Sequence, residues 1–122
     1  MNKWLLCLLL SAGAEASGTL NIYNWSDYIG ETTLEDFSAE FGVKVSYDVY
    51  DAAAVVDTKL LAGRSGYDLV FHAASNSAPL IPAGVYLPLD KSRLPNWRHL
   101  DAALLDRLTE FDPGNQYGLP YT

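Results

Sequence analysis

Four adjacent residues, Trp25, Ser26, Asp27 and Tyr28, could do chemistry together, within the run YNWSDYIG at residues 23–30. One carboxylate stands there among aromatic rings. A cation over an aromatic face gains about 0.5–1 kcal/mol when exposed and about 2 kcal/mol when desolvated. The run therefore suits an organic ammonium compound. Asp27 supplies the counter-charge, Trp25 and Tyr28 offer ring faces, and Ser26 adds a hydroxyl that donates or accepts. Tyr23 closes the preceding apolar run and is assigned to the core. The competing reading is a helix-entry loop, with Ser26 or Asp27 as a turn residue and Trp25 as packing.

Elsewhere the chemistry is sparse. His72 and His99 lie in different predicted elements, and neither has a second ligand at metal-binding spacing. Asp48, Asp51 and Asp57 fall on a strand, a cap and a helix, a poor metal group. No serine sits in a G-x-S-x-G setting, and no phosphate-cradling glycine motif is present. No acid–base pair, catalytic residue, metal or cofactor is expected, and the chain reads as a binding module, not an enzyme.

The elements that must position the aromatic run alternate. Residues 19–23 predict a strand. Leu34, Phe37 and Phe41 share one helical face, Thr32 and Glu35 resemble a capping box, and Gly42 is placed to stop that helix. Residues 43–49 alternate apolar and polar, which predicts a strand that buries the Val43, Val45, Tyr47 and Val49 side, near a sheet edge. Asp51 is expected to cap a second helix ending at Gly63. Residues 67–72 predict a third strand covered on both faces. Ser75 or Ser77 would cap a short third helix, and Asp101 a later one over residues 101–111. Residues 85–89 read as extended, residues 112–115 as a turn, and residues 116–121 as a further strand.

Strands alternating with helices predict an α/β fold, an open and mostly parallel sheet with helices on both faces. Ligands of such sheets bind outside the carboxyl ends of the strands, at the switch in strand order. In a 2-1-3 order the aromatic run and residues 73–76 leave neighbouring strands at the same rim. They would form two walls of one cleft.

Composition and address agree with a ligand-binding module. The chain carries a net charge of −7, and its basic residues are scattered. No nucleic-acid partner is expected on that pattern. An acidic field draws in small cations, although surface acids also serve solubility alone. Residues 1–16 have Lys3, a short apolar run and small residues at Ala14 and Ala16, the layout of a cleavable secretory signal; the alternative is a buried N-terminal helix. Cleavage there would remove Cys7, the single cysteine, and with it any disulfide or thiol chemistry.

The segments NIYNWSDYI, GVKV, KLLAG, YDLVF, AGVYLPLDKSRLPNW and DPGNQYGLPY together make the sequence similar to bacterial periplasmic polyamine-binding proteins, from about Thr19 to Tyr121. The combination is specific where each piece alone is not. The putrescine-binding branch resembles it more than the spermidine-preferring one. The resemblance implies a type II periplasmic-binding-protein lobe over residues 17–122, one of two that close on a ligand. It implies the solute-binding component of an ABC importer, a monomer that hands putrescine or a related polyamine to an inner-membrane permease. It also implies ligand contacts from Trp25, Ser26, Asp27, Tyr28 and Ser75. Five positions depart from the family: Ala73 replaces a serine, His72 a common proline, and Asn76, Pro79 and Pro82 differ from the family's usual helix. Members are much longer than this sequence and carry a second lobe, so the chain is expected to hold part of a site. Three alternatives stay open: a partial chain without useful binding, a receptor-coupled sensor, and a secreted α/β domain of other function.

Overall fold

A computed structural model describes residues 18–121. The expected signal segment at residues 1–16 lies outside them. Three strands form a parallel sheet in the order β2-β1-β3, with β1 at Thr19–Trp25, β2 at Lys44–Tyr50 and β3 at Leu69–Val70. The parallel sense expected from the alternation is present, and the order is the 2-1-3 arrangement that brings the two loops to one rim.

The helices are α1 (Thr33–Phe41), α2 (Ala53–Leu61), α3 (Ala74–Ser77) and α4 (Ala102–Leu108), with 3₁₀ turns at Lys91–Arg93 and Pro95–His99. The chain steps from β1 to β2 through α1, then back across β1 to β3 through α2. Right-handed crossovers running in opposite directions place α1 and α2 on opposite faces of the sheet. This makes β1 the central strand and the end of β1 the switch point.

One face carries the core. Tyr23 of β1 is in register with Asp48 of β2 and Val70 of β3, and Trp25 with Tyr50, so these side chains share a side. Tyr23, Tyr50, Val56, Leu60 and Leu80 form the buried cluster, with Trp25, Tyr67, Val70, Val85 and Tyr86 packed around it. The Tyr67 ring stacks on Tyr23 at 4.6 Å, and Lys59 lies 4.7 Å above the Tyr23 ring centre. Asp68 ties β3 to β1 by accepting from the Asn21 backbone N–H (2.8 Å) and side-chain amide (3.2 Å). The Tyr50 hydroxyl donates to the Phe71 carbonyl, across β1.

Several local expectations fail for identifiable reasons. In β2 the buried residue is Tyr50 (3% exposed), on the side opposite the valines, while Val49 is 53% exposed. The α2 face holds the large rings, and α1 leaves Val49 open. Likewise β3 is not covered on both faces, since Leu69 is exposed. Its ladder is shorter than residues 67–72, although Asp68 N–H to Asn21 (2.8 Å) and Phe71 N–H to Tyr23 (2.9 Å) extend it.

Thr32 precedes α1, but its backbone is already helical (φ −103°, ψ −4°) and its side chain forms no cap bond. An extended Ncap is what aims the side-chain oxygen at the first turn. Ala52, not Asp51, caps α2; Ala73, not Ser75 or Ser77, caps α3. Residues 85–89 and 116–121 form no strand pair; a single bond joins them, Leu89 N–H to Gln116 (2.7 Å).

Other signals hold. Gly42 adopts φ 63° and ends α1, a left-handed geometry that glycine takes without a Cβ clash. Asp101 caps α4 by accepting from Ala103 N–H (2.8 Å) and Leu104 N–H (2.9 Å), although that helix stops at Leu108 rather than residue 111. The buried Asp112 gathers the N–H groups of Gln116, Tyr117 and Gly118 at 2.8–3.0 Å and fixes the 112–115 turn.

The core assignment is open to test by urea unfolding. Leu80 is 2% exposed and Leu87 is 86% exposed. Leu80→Ala is expected to cost about 2–5 kcal/mol, and Leu87→Ala less than about 0.5 kcal/mol. Equal costs would contradict the packing described.

Candidate functional site

The 25–28 segment starts at the last residue of β1 and turns away from the sheet. Its first half is held from the neighbouring strand. Ser26 N–H donates to the Tyr50 carbonyl at 3.1 Å, and the Trp25 ring packs on Tyr50 with centres 4.4 Å apart. Trp25 is half-buried, so it is partly core and partly rim. Asp27 then adopts φ 57°, a left-handed turn that a short polar side chain tolerates. Asp27 and Tyr28 are exposed.

The polar atoms of the run are mostly acceptors. Ser26 Oγ lies 2.5 Å from Asp51 Oδ1, at the end of β2. A carboxylate accepts only, so the hydroxyl proton points to Asp51, and the Ser26 oxygen is left as an acceptor. Asp51, expected as a helix cap, therefore serves this loop instead. Asp27 forms no hydrogen bond or ion pair among the described residues. No Lys or Arg stands within ion-pair distance of a carboxylate among them either; the single such contact involves His72. The acidic surplus is thus not neutralised internally.

From β3, Phe71 and His72 lead into α3. Ser75 lies exposed in the first turn of that helix, and its hydroxyl has no partner among the described residues. The two loops leave adjacent parallel strands at the same rim. Aromatic contacts bridge them. The Tyr121 ring meets Tyr28 edge-on at 5.4 Å and Phe71 at 4.7 Å. Trp25, Ser26, Asp27 and Tyr28 form one continuous wall, and Ser75 belongs to the second. Two shallow hollows, one at Leu89 and Arg93 and one at Trp97 and Leu100, include none of these residues. The rim is a wall open to solvent.

His72 does not line that rim. Its side chain is 4% exposed, with Nε2 3.0 Å from Asp57 Oδ1 on α2. The two atoms make a polar contact without full hydrogen-bond geometry. Nδ1 lies 3.0 Å from the Tyr86 hydroxyl. Burial pushes the His72 pKa below 6.5, and nearby Asp57 opposes that only in part. Burial, aided by Asp57, pushes the Tyr86 hydroxyl up to about 12, so it stays protonated beside His72. Among the described residues no cluster of His, Cys, Asp or Glu could hold a metal ion, and no helix is long and apolar enough to cross a membrane.

Asn24, Asp51, Tyr121 and the His72–Asp57–Tyr86 set are what sequence reasoning missed. The expected strand ended at residue 23, so Asn24 fell in the loop and its burial left no sequence signal.

No family model matches the chain. It is 50% identical over 125 residues to the putrescine-binding periplasmic protein SpuD of Pseudomonas aeruginosa, covering 98% of this chain and 34% of that protein. It is 46% identical over 127 residues to the putrescine-binding periplasmic protein PotF of Escherichia coli, covering 98% and 34%. The chain is homologous to polyamine-binding periplasmic proteins. It spans about a third of the length of the curated relatives it matches. The spermidine/putrescine ABC transporter substrate-binding protein PotD of Streptococcus pneumoniae superposes with a TM-score of 0.80 at 31% identity, over 85% of this chain and 32% of that one. The sheet order and this superposition give the fold: part of a periplasmic-binding-protein domain.

The buried histidine has a pH consequence. The unfolded chain binds a proton near pH 6.5, and the folded chain only at lower pH. Stability contributed by neutral His72 is therefore complete above that value and declines as pH falls through the folded pKa. The urea midpoint should drop from pH 7.5 to 5.5, and His72→Gln should flatten the drop. A midpoint independent of pH in the unsubstituted chain would contradict this.

Proposed function

We propose that this chain supplies one wall of a site for putrescine or a related diamine, in a periplasmic solute-binding component of an ABC importer. The observation that carries the reading is the shared rim of the β1 and β3 loops, where acceptors and exposed rings face outward without a neutralising cation. The names of the relatives support the ligand class, the periplasmic address and an ABC permease as partner. Residues 1–16 serve as the export signal in this reading, and residues 17–122 as the first lobe.

Each residue has a role set by its chemistry. Asp27 pairs with an ammonium group. Tyr28 and the open part of Trp25 cover the cation and its methylenes. Ser26 accepts from the ammonium because its own proton is committed to Asp51. Ser75 adds a hydroxyl from the second wall. Ala73, with no hydroxyl, adds none.

Magnitudes decide what a single wall achieves. A desolvated cation–ring contact gives about 2 kcal/mol, and an exposed charge pair about 1 kcal/mol or less. Micromolar affinity needs about 8 kcal/mol. One wall alone is therefore a weak binder, and a second lobe must exclude water and complete the contacts.

A chimera tests this directly. The matching third of the Pseudomonas relative is replaced by this chain, and putrescine binding is measured by calorimetry. The chimera should bind, and Asp27→Ala should weaken binding by at least about tenfold, or 1.4 kcal/mol. An affinity unchanged within about twofold, well under that 1.4 kcal/mol step, would reject the assignment of Asp27.

A further inference from the structure

We propose that Asn24 and Tyr121 are positioning residues that hold the 25–28 loop in its ligand-facing shape by converging on one backbone carbonyl, that of Tyr28. The inference deepens the diamine reading and rests on it for the loop's purpose. The geometry of the two pins stands apart from that reading.

The loop has reason to need holding. It contains a left-handed residue, Asp27, and its outer half has no sheet partner. Asn24 is fully buried (0% exposed) in the central strand, where an apolar side chain of similar size would fit the pattern. A buried amide costs about 1–3 kcal/mol when left unpaired. Here it is paired at both ends. Asn24 Oδ1 accepts from Trp25 N–H at 2.8 Å, and Asn24 Nδ2 donates to the Tyr28 carbonyl at 3.1 Å. The side chain thus spans the loop from its first residue to its last.

Tyr121 engages the same carbonyl from outside. Its hydroxyl donates to Tyr28 O at 3.2 Å, across 93 positions of sequence. A carbonyl has two lone pairs, and the two donors use both. The Tyr121 ring also meets the Tyr28 ring edge-on at 5.4 Å and the Phe71 ring at 4.7 Å. Tyr121 therefore fixes the Tyr28 ring, a proposed ligand face, and links it to the end of β3. A loop fixed before binding loses less conformational freedom when the ligand arrives.

The test uses residue-resolved amide exchange on the 122-residue chain, with the Trp25 and Ser26 amides as probes. Both are hydrogen-bonded, at 2.8 and 3.1 Å. Tyr121→Phe removes one hydroxyl and keeps the ring. It should speed exchange at both probes about tenfold, a local-opening change of about 1.4 kcal/mol, while Val56 and Leu60 amides in the core keep their rates. Asn24→Leu should do the same at Ser26, and Tyr121→Phe carries the test alone if that variant does not fold. In the chimera, Tyr121→Phe should weaken putrescine binding about three- to tenfold, within the 1.4 kcal/mol of a full tenfold step. Unchanged exchange at the probes overturns the proposal, as does faster exchange with unaltered diamine affinity. Faster exchange in a chain whose unsubstituted chimera ignores putrescine upholds the two pins and overturns the diamine reading instead.

Discussion

The structure depends on β1 being the middle strand of a parallel sheet. Its backbone pairs with β2 along its whole length and with β3 near its end. Because the two crossovers run in opposite directions from it, the loops after β1 and β3 have no helix packed between them at the carboxyl rim. An antiparallel β3, or one added beyond β2, would send residues 73–75 elsewhere. The bonds that enforce this placement span the sheet: Asp68 to Asn21, and Tyr50 to the Phe71 carbonyl.

The aromatic residues divide between holding the sheet and facing outward. Tyr23, Tyr50 and Tyr67 pack together in the core, with Lys59 over two of their rings. Tyr28 and Tyr121 stay exposed at the rim. Trp25 belongs to both groups. Acid placement follows a similar division. Asp68 and Asp112 accept backbone N–H groups and serve the fold, while Asp51 orients Ser26 and Asp27 pairs with none of the described residues.

Local signals in the sequence were read well where the chain itself sets the answer. The alternation of elements yields the parallel sheet, Gly42 ends its helix, Asp101 caps α4 and Asp112 makes its turn. Signals failed where a tertiary partner outbids a local one. Asp51 looks like a cap in sequence, but Ser26, 25 positions earlier, takes its carboxylate. The valines of residues 43–49 mark an apolar side, yet the rings of Trp25 and Tyr23 draw Tyr50 into the core on the other. The pairing of Asn24 and Tyr121 on one carbonyl, and the burial of His72 against Asp57, need the folded chain to be seen. Residues 25–28 could be singled out in the sequence because they are contiguous; residues 73–75 were reached only through topology.

The most direct test is an NMR titration of this chain with millimolar putrescine, following backbone amides. Shifts should concentrate at residues 25–28 and 73–75, which leave β1 and β3 at one rim. Shifts confined to the opposite rim, around Gly18, Gly42 and Gly66, would place the cation at the wrong end of the sheet and contradict the account.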